Sequence, residues 1–307
     1  MTAATVDPTQ VGGTRALGAP VGPGRPPRWW HALTSGQGLV GLVLLALVVL
    51  TGLLGPFLAP FAPNEQLPNA NLLPPGGAHP LGTDQVNRDV FSRVLYGIRA
   101  DLLIVFVAVP IGAALGTVAA LLGTSVAAAD LALQRAFDLL LAFPTLIFAI
   151  GLTAVVGPGT GAVVAVIATV ETPIFARVLR SSILRVQTLP FVEAAHTMGA
   201  GRWWVLRRHV LPNAAEPLAV QLAISLSLAV FIESAMSFLG IGVRPPQPSL
   251  GNLISDGMLY AESNVAFVLG PLVVIVILTL ALQLLARALG SARRGPRTRP
   301  EGAHVHD

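Results

Sequence analysis

The sequence predicts an all-α integral membrane protein with six transmembrane helices, and two observations lead to this fold class. Hydrophobic residues make up 53% of the 307 residues, charged residues make up only 11%, and the mean hydropathy is +0.72. A soluble fold with this balance would lack the polar surface that keeps it dissolved. The apolar residues are also collected into long runs, most of them near the ~20 residues that a helix needs to cross a bilayer.

The six predicted spans follow from where these runs begin and end. The first run ends at Pro60, and the second lies between Asp101 and Asp130. One uncharged run, 139–170, is long for a single span, and the glycine cluster at 157–161 divides it in two. The predicted spans are 39–58, 102–126, 139–156, 161–180, 217–240 and 265–286.

A separate amphipathic helix is predicted just before the second span. Phe91, Val94, Leu95 and Ile98 recur at helical spacing within residues 89–99. Such a segment suits the outer membrane interface, where one face of the helix meets the headgroups.

The arginine distribution predicts the orientation. The loop at 241–264 holds only Arg244, whereas the loop at 181–216 and the C-terminal end hold four and five arginines. Basic residues accumulate in cytoplasmic loops, so this loop at 181–216 and both termini are expected in the cytoplasm.

Four regions are expected along the chain. Residues 1–36 read as a disordered cytoplasmic arm, and 37–98 hold the first span with an extracytoplasmic segment. Residues 99–290 form a five-helix core with a polar loop at 186–216, and 291–307 form a disordered basic tail. The arm is not interpreted as a signal peptide, because the apolar run after it is too long. Within the tail, His304 and His306 are expected to be solvated rather than to bind a metal.

The loop at 186–216 predicts a helical hairpin. Pro190 suits the first turn of one short helix, and Gly199 suits a left-handed position after it. A second helix is expected from Arg202 to Val210, with Pro212 ending it. The expected apolar faces are Val192, Ala195 and His196 on the first helix, and Trp203, Leu206 and Val210 on the second. A membrane protein with such a hairpin in a loop presents it to a soluble partner.

Two residue types are missing, and each excludes a class of chemistry. All 19 basic residues are arginine, so the chain lacks the lysine that a P-loop ATPase needs on the phosphates. There is no cysteine, which excludes disulfides and thiolate catalysis. Any work done with ATP must therefore come from a partner.

The hairpin carries a recognisable motif. Glu193-Ala194-Ala195, then Gly199, then Leu211-Pro212 resembles the EAA loop of bacterial ABC importer permeases. The ending at 208–213 is similar to that of the dipeptide/oligopeptide/nickel branch. Supporting resemblances to that branch lie at 79–84, 88–93, 135–144 and 237–251, and the leading span resembles the C-type partner of its permease pairs.

This resemblance implies a type I ABC importer permease in a bacterial inner membrane, forming a translocation path for peptides. It implies a second homologous permease, two cytoplasmic ATPase subunits that hold ATP and Mg, and an extracytoplasmic binding protein. No cofactor, metal or nucleic acid is expected on this chain. The residues expected to couple to the ATPase are Glu193, Ala194, Ala195, Gly199, Arg202, Arg207, His209, Leu211 and Pro212.

Two further sets of site residues are expected. The translocation path or gate is assigned to Glu233, Glu171, Asp138, Ser237 and Phe238, since a charge in mid-bilayer costs at least about 2.5–3.5 kcal/mol and faces a cavity or a partner. The acids have ordinary alternatives: Asp138 is expected to pair with Arg135, Glu171 could pair with Arg177, and Glu233 could cap a neighbouring subunit's backbone. The residues expected to face the binding protein are Asp84, Arg88, Asp89, Arg93 and Gln247.

The chain departs from the family pattern at several positions. Asn87 stands where the family usually has glycine, and Gly201 stands where serine often begins the second hairpin helix. Glu171-Thr172-Pro173 replaces a Gly-Trp-Pro-like sequence, which could alter the path. The usual ending after the sixth span is absent.

Other functions stay open at this point. The same architecture could import nickel or another small solute. A channel is a remote alternative, since nothing resembles a selectivity filter. An intramembrane hydrolase is another, but Ser181, Ser225 and Ser227 have no histidine within their spans to act as a base.

Overall fold

The computed structural model describes residues 33, 34 and 36–293. The rest of the predicted arm and the tail beyond residue 293, with His304 and His306, lie outside the described residues. In the described part the chain is helical, and its only β-type pairing is an isolated bridge between Thr83 and Asp89. The helices are α1 (Gly36–Leu58), α2 (Val90–Ser125), α3 (Ala127–Ala142), α4 (Thr145–Val156), α5 (Thr160–Gln187), α6 (Pro190–Thr197), α7 (Arg202–Val205), α8 (Leu211–Ala214), α9 (Glu216–Phe238), α10 (Leu250–Met258) and α11 (Val265–Arg293), with a π-helical turn at Leu206–Val210 between α7 and α8.

Five helices in the described part are long and apolar enough to cross a membrane, namely α1, α2, α5, α9 and α11. A sixth span exists if α3 and α4 are counted as one broken span, and these two helices are bent by 98°. The predicted all-α fold is therefore confirmed. The third of its six predicted spans is broken into two helices, α3 and α4.

The prediction of one continuous helix at 139–156 is wrong. Phe143 is extended (φ −82°, ψ 133°) and separates α3 from α4. Pro144 is the cause, because proline donates no N–H and disfavours helical backbone in the residue before it. The 12 residues of α4 extend about 18 Å, which is short of the about 30 Å bilayer core.

The predicted interface helix at 89–99 is not a separate element. It is the start of α2, one helix of 36 residues, or about 54 Å. The Asp89 carboxylate caps this helix by accepting a hydrogen bond from the backbone N–H of Ser92 at 2.7 Å. Asp101, which the sequence prediction placed at the edge of the second span, therefore lies inside a continuous helix.

Small residues let α2 and α5 approach closely. A Cβ atom on Gly112 would lie 2.7 Å from the Cβ of Glu171, and one on Gly116 would lie 2.5 Å from the carbonyl oxygen of Thr172. This pair of glycines, four residues apart, is the arrangement that brings membrane helices into backbone contact. Around it, Val105, Ala108, Val109, Val163, Val166 and Ile167 form a buried apolar core.

The predicted division at 157–161 is confirmed. Gly157 and Gly159 have φ values of 87° and 141°, which side chains other than glycine rarely adopt. The chain turns there and α5 begins at Thr160, continuing to Gln187 beyond its predicted end.

Candidate coupling hairpin and buried polar sites

The predicted hairpin at 186–216 is present, and the turn between its two helices has a defined geometry. After α6, Gly199 takes φ +85°. The Ala200 N–H bonds to the Ala195 carbonyl at 3.1 Å, and the Gly199 N–H bonds to the His196 carbonyl at 3.0 Å. These two bonds form a Schellman cap, which needs a left-handed residue at the position of Gly199. Gly201 then occupies the N-cap position of α7 and provides no side-chain hydrogen bond there.

The second half of the hairpin differs from the prediction. The helix does not end at Pro212 but passes through the π-helical turn into α8, with the Leu211 N–H bonded to the Leu206 carbonyl. Pro212 lies in the first turn of α8, where its missing N–H is not needed. The hairpin therefore runs almost without a break into α9.

One face of the hairpin packs on the membrane helices. Val192, Ala195, Val205 and Val210 are buried in a cluster with Ala120, Leu179, Ile183 and Val186 from α2 and α5. The predicted faces are only partly right, because His196 and Trp203 are exposed and Val205 takes the buried position. This hairpin cluster ties the hairpin to α5, so a force on the hairpin would reach the bundle.

Another part of the hairpin surface forms an open cleft. A cleft of about 370 Å³ is lined by Phe191, Ala195, Met198, Gly199, Ala200, Trp204 and His209. The His209 ring meets Trp204 edge-on at a centroid distance of 5.0 Å. Of the predicted coupling residues, Glu193, Ala194, Gly199, Arg202, Arg207 and Pro212 are exposed, His209 and Leu211 are half-buried, and Ala195 is buried.

A buried charge network organises the non-helical segment before α2. The Arg88 Nε donates to the Asp84 Oδ2 at 2.6 Å, and the Arg93 Nη1 donates to the Pro63 carbonyl at 3.0 Å. The Asp89 Oδ1 pairs with the His79 Nδ1 at 2.9 Å.

This network corrects the expected binding-protein surface. Asp84, Asp89 and Arg93 are buried, so their side chains hold the segment together and offer no surface to a partner. Arg88 is half-buried and Gln247 is exposed, and these two stay candidates. Nearby, burial raises the pKa of Asp256 in α10 above its ordinary value, against the opposing effects of Arg93 and Arg88.

Asn87 fits the position where the family usually has glycine. Its φ of 65° is left-handed, and asparagine adopts that conformation more readily than other side chains. The departure therefore keeps the backbone geometry of the segment.

The expected partners of two intramembrane acids are wrong. The Asp138 Oδ1 accepts a hydrogen bond from the Arg177 Nη2 at 2.7 Å, so its partner comes from α5 and is not Arg135. Glu171 is buried and accepts from the Ser225 hydroxyl instead of pairing with Arg177. Residues 171 and 177 lie about 120° apart around the helix, so they face different neighbours.

Glu233 lies inside the bundle. Its Oε1 accepts from the Ser237 hydroxyl at 2.7 Å, and the Ser237 oxygen accepts from the Val243 N–H at 3.1 Å. Glu233 and Ser237 are buried, whereas Phe238 is exposed. The expected path residues are thus split between the interior and the surface of the chain.

Asp101 is the polar residue that the sequence interpretation missed. It is buried beside Glu233, and its Oδ2 accepts from the Leu250 N–H at 3.0 Å. The signal was available, because Asp101 continues the apolar stripe of Val94 and Ile98 at helical spacing.

Comparison with known families decides what this architecture is. Residues 108–295 match the family described as the binding-protein-dependent transport system inner membrane component. The chain belongs to this family. Residues 36–75 match the N-terminal transmembrane domain of oligopeptide transport permease C. The resemblance drawn from the hairpin motif is therefore confirmed.

Relatives of this permease cover most of its length. It is 35% identical over 263 residues to a putative peptide transport system permease protein of Brucella suis, covering 86% of this chain and 88% of the relative. It is 34% identical over 292 residues to the dipeptide transport system permease protein DppC of Escherichia coli K12, covering 92% and 97%.

Among solved structures, the permease resembles a chain of the MetNI methionine ABC transporter in inward facing conformations. The TM-score is 0.52 at 21% identity, covering 65% of this chain and 96% of that chain. At this identity the match supports the fold and not the cargo.

Proposed function

We propose that this permease is one of two membrane subunits of a peptide-importing ABC transporter. With a second permease it forms the translocation path, a binding protein delivers the peptide, and two ATPase subunits supply the energy and hold ATP and Mg. The peptide cargo is favoured over nickel by the relatives, whose names specify peptides or dipeptides. We place the permease in the bacterial inner membrane. The arginine distribution favours an orientation in which both termini and the hairpin lie in the cytoplasm.

The observation that carries the proposal is that the hairpin combines an open cleft with a buried cluster. The cleft lies beside the Gly199 turn and suits docking of a soluble subunit. The hairpin cluster, in contact with the cleft through Ala195, continues into α5 and α2. Movement of an ATPase against the cleft would therefore be passed to the membrane helices as a rigid-body displacement.

Gly199→Asp tests the coupling role. The substitution strains a left-handed position and places a charge at the cleft, so uptake should fall about tenfold or more while the complex still assembles. ATP hydrolysis by the assembled complex should also stop responding to peptide-loaded binding protein.

Gly201→Ser is the matched control, two residues away. Gly201 has an ordinary φ of −64°, and serine is a good N-cap residue for α7, so uptake should be kept. Normal uptake by the Gly199→Asp variant, with both complexes assembled equally, would contradict the coupling role.

A further inference from the structure

The break between α3 and α4 lies within the predicted third span and at the exposed surface of the chain. Pro144 has no N–H to donate to the last turn of α3, and the two helices turn through 98°. Leu139, in the last turn of α3, is 67% exposed, and Phe143, directly after that helix, is 53% exposed. Non-helical backbone at membrane depth occurs only where protein covers it or where it lines a water-filled cavity.

An ion pair adjoins this break. Asp138 in α3 and Arg177 in α5 meet at 2.7 Å, and their side chains remain 59% and 40% exposed. Ionisable side chains within membrane segments face a cavity or another protein chain and avoid hydrocarbon. Both observations therefore indicate that the surface around Asp138 and Phe143 does not face lipid.

The exposed surface of α1 has a different chemistry. Leu47, Leu50 and Leu53 are exposed to a similar degree, and the helix is unbroken through them. That surface suits lipid, whereas the surface around Asp138 and Phe143 does not. The two surfaces thus provide an internal comparison within one chain.

We propose that Asp138, Leu139, Phe143, Pro144 and Arg177, here called the elbow site, line the aqueous transport path and bind the two charged ends of a peptide in transit. Asp138 takes the α-ammonium group and Arg177 takes the α-carboxylate. The assignment rests on the proposed import function, because it needs a peptide to enter the path.

The chemistry of the elbow site fits a passing zwitterion. Arginine binds a carboxylate with two parallel hydrogen bonds, and a carboxylate accepts from an ammonium group. Without peptide the two side chains neutralise each other, so neither charge is left unpaired. An extended dipeptide spans about 7 Å, so the pair must separate to admit it, and its exposure leaves both side chains free to rotate.

A second ion pair in the same helices serves as a contrast. Asp130 and Arg180 meet at 2.5 Å and are 24% and 31% exposed, and Asp130 lies against Gly123 near the end of α2. This pair is more enclosed and packs where α2 meets α3. It is therefore assigned a structural role and supplies the control below.

Cysteine labelling tests whether the elbow site faces water. The chain has no cysteine, so each single substitution supplies the only thiol of this subunit. Leu139→Cys, Phe143→Cys and the control Leu47→Cys are compared in the complete complex in membrane vesicles during ATP turnover. The probe is a charged, membrane-impermeant methanethiosulfonate reagent, applied from either side, with and without the dipeptide Ala-Ala and the binding protein.

The elbow cysteines should react about tenfold or more faster than the control, because a thiol in hydrocarbon ionises little. Ala-Ala should slow their modification and leave the control unchanged. Failure of both elbow cysteines to react would overturn the site. Modification that Ala-Ala does not slow would overturn the peptide as its ligand.

Paired neutral substitutions separate recognition from stability. Asp138→Asn with Arg177→Gln leaves no unpaired charge, so a purely structural pair would tolerate it. The proposal instead predicts a loss of Ala-Ala uptake of about tenfold per assembled complex. Asp130→Asn with Arg180→Gln, the control, should stay near the wild-type rate. Wild-type uptake by the Asp138/Arg177 double variant would overturn the proposal.

The wild-type complex distinguishes this proposal from the import function itself. If wild-type vesicles take up no Ala-Ala in the presence of ATP and binding protein, the proposed peptide import fails. If wild-type uptake is normal and the elbow cysteines do not react, only the elbow site fails.

Discussion

The Asp101 carboxylate accepts a 3.0 Å hydrogen bond from the N–H of Leu250, the first residue of α10, although 149 positions separate the two residues. An oxygen acceptor at a helix N-terminus satisfies one of the backbone N–H groups that have no partner within the helix. Glu233 from α9 lies beside it. Asp101 therefore joins α2, α9 and α10 at one buried point.

We expect Asp101→Leu to destabilise this junction by about 1–3 kcal/mol, because the Leu250 N–H loses its buried acceptor. Asp101→Asn should be tolerated, since its amide oxygen can still accept and its NH₂ can donate to Glu233. The measurement is the thermal unfolding midpoint of the purified complex in detergent. Equal midpoints for the leucine and asparagine variants would contradict the role of the hydrogen bond.

Close packing between α2 and α5 predicts a strong effect from one methyl group. In Gly116→Ala the new Cβ would lie 2.5 Å from the Thr172 carbonyl oxygen, which belongs to the backbone and cannot rotate away. We expect a loss of about 1–3 kcal/mol, measured as a lower unfolding midpoint. The control is Gly161→Ala in the first turn of α5, where nothing lies within 4 Å. That variant should be neutral or more stable by up to about 1 kcal/mol.

The Glu171–Ser225 contact predicts a non-additive pair of substitutions. Ser225→Ala removes the hydroxyl that Glu171 accepts from, and the other carboxylate oxygen of Glu171 already has no hydrogen-bond partner. We expect a loss of about 1–3 kcal/mol from this change. Glu171→Gln changes the group that accepts from Ser225, so Ser225→Ala should have a different cost in that background, and a double-mutant cycle measures the difference. Strict additivity of the two effects would show that the residues do not interact.

Asp256 predicts a pH dependence of stability. Burial raises its pKa in the folded state above the ordinary value of about 4, so folding favours the protonated form. Its favourable contribution is complete below about pH 4 and is lost as the pH rises through the folded-state pKa. Asp256→Asn imitates the protonated form and should raise the unfolding midpoint at pH 7 but not at or below pH 4. A difference from wild type that stays constant with pH would contradict this assignment.

Much of the fold was predictable because it depends on local physics. The apolar runs identify the spans, since an unpaired backbone in lipid forces a helix. The turns at the glycine cluster 157–161 and at Gly199 were predictable for a related reason, because left-handed backbone favours glycine. The family was predictable from the hairpin for the same kind of local reason, the spacing from Glu193 to Pro212.

The structure departs from the sequence prediction at Pro144 and Asp101 because neighbouring residues decide what each one does. Pro144 ends α3 through its effect on Phe143, although the run around both residues is apolar. Asp101 was taken as an edge because it is charged, whereas the helix around it continues. Its carboxyl oxygen bonds to the N-terminus of α10, which the linear sequence does not place nearby.

The sequence by itself determined the membrane class, the hairpin and the family, because hydrophobicity, turn residues and motif spacing act over short stretches of chain. Only the tertiary structure decided the partners of the charged residues, giving Asp138 to Arg177, Glu171 to Ser225 and Asp101 to Leu250. It also enclosed Asp84, Asp89 and Arg93, which the sequence had assigned to an exposed surface. The reason is physical: a long polar side chain pairs with whichever helix the packing brings next to it, and that packing depends on residues far away in the chain.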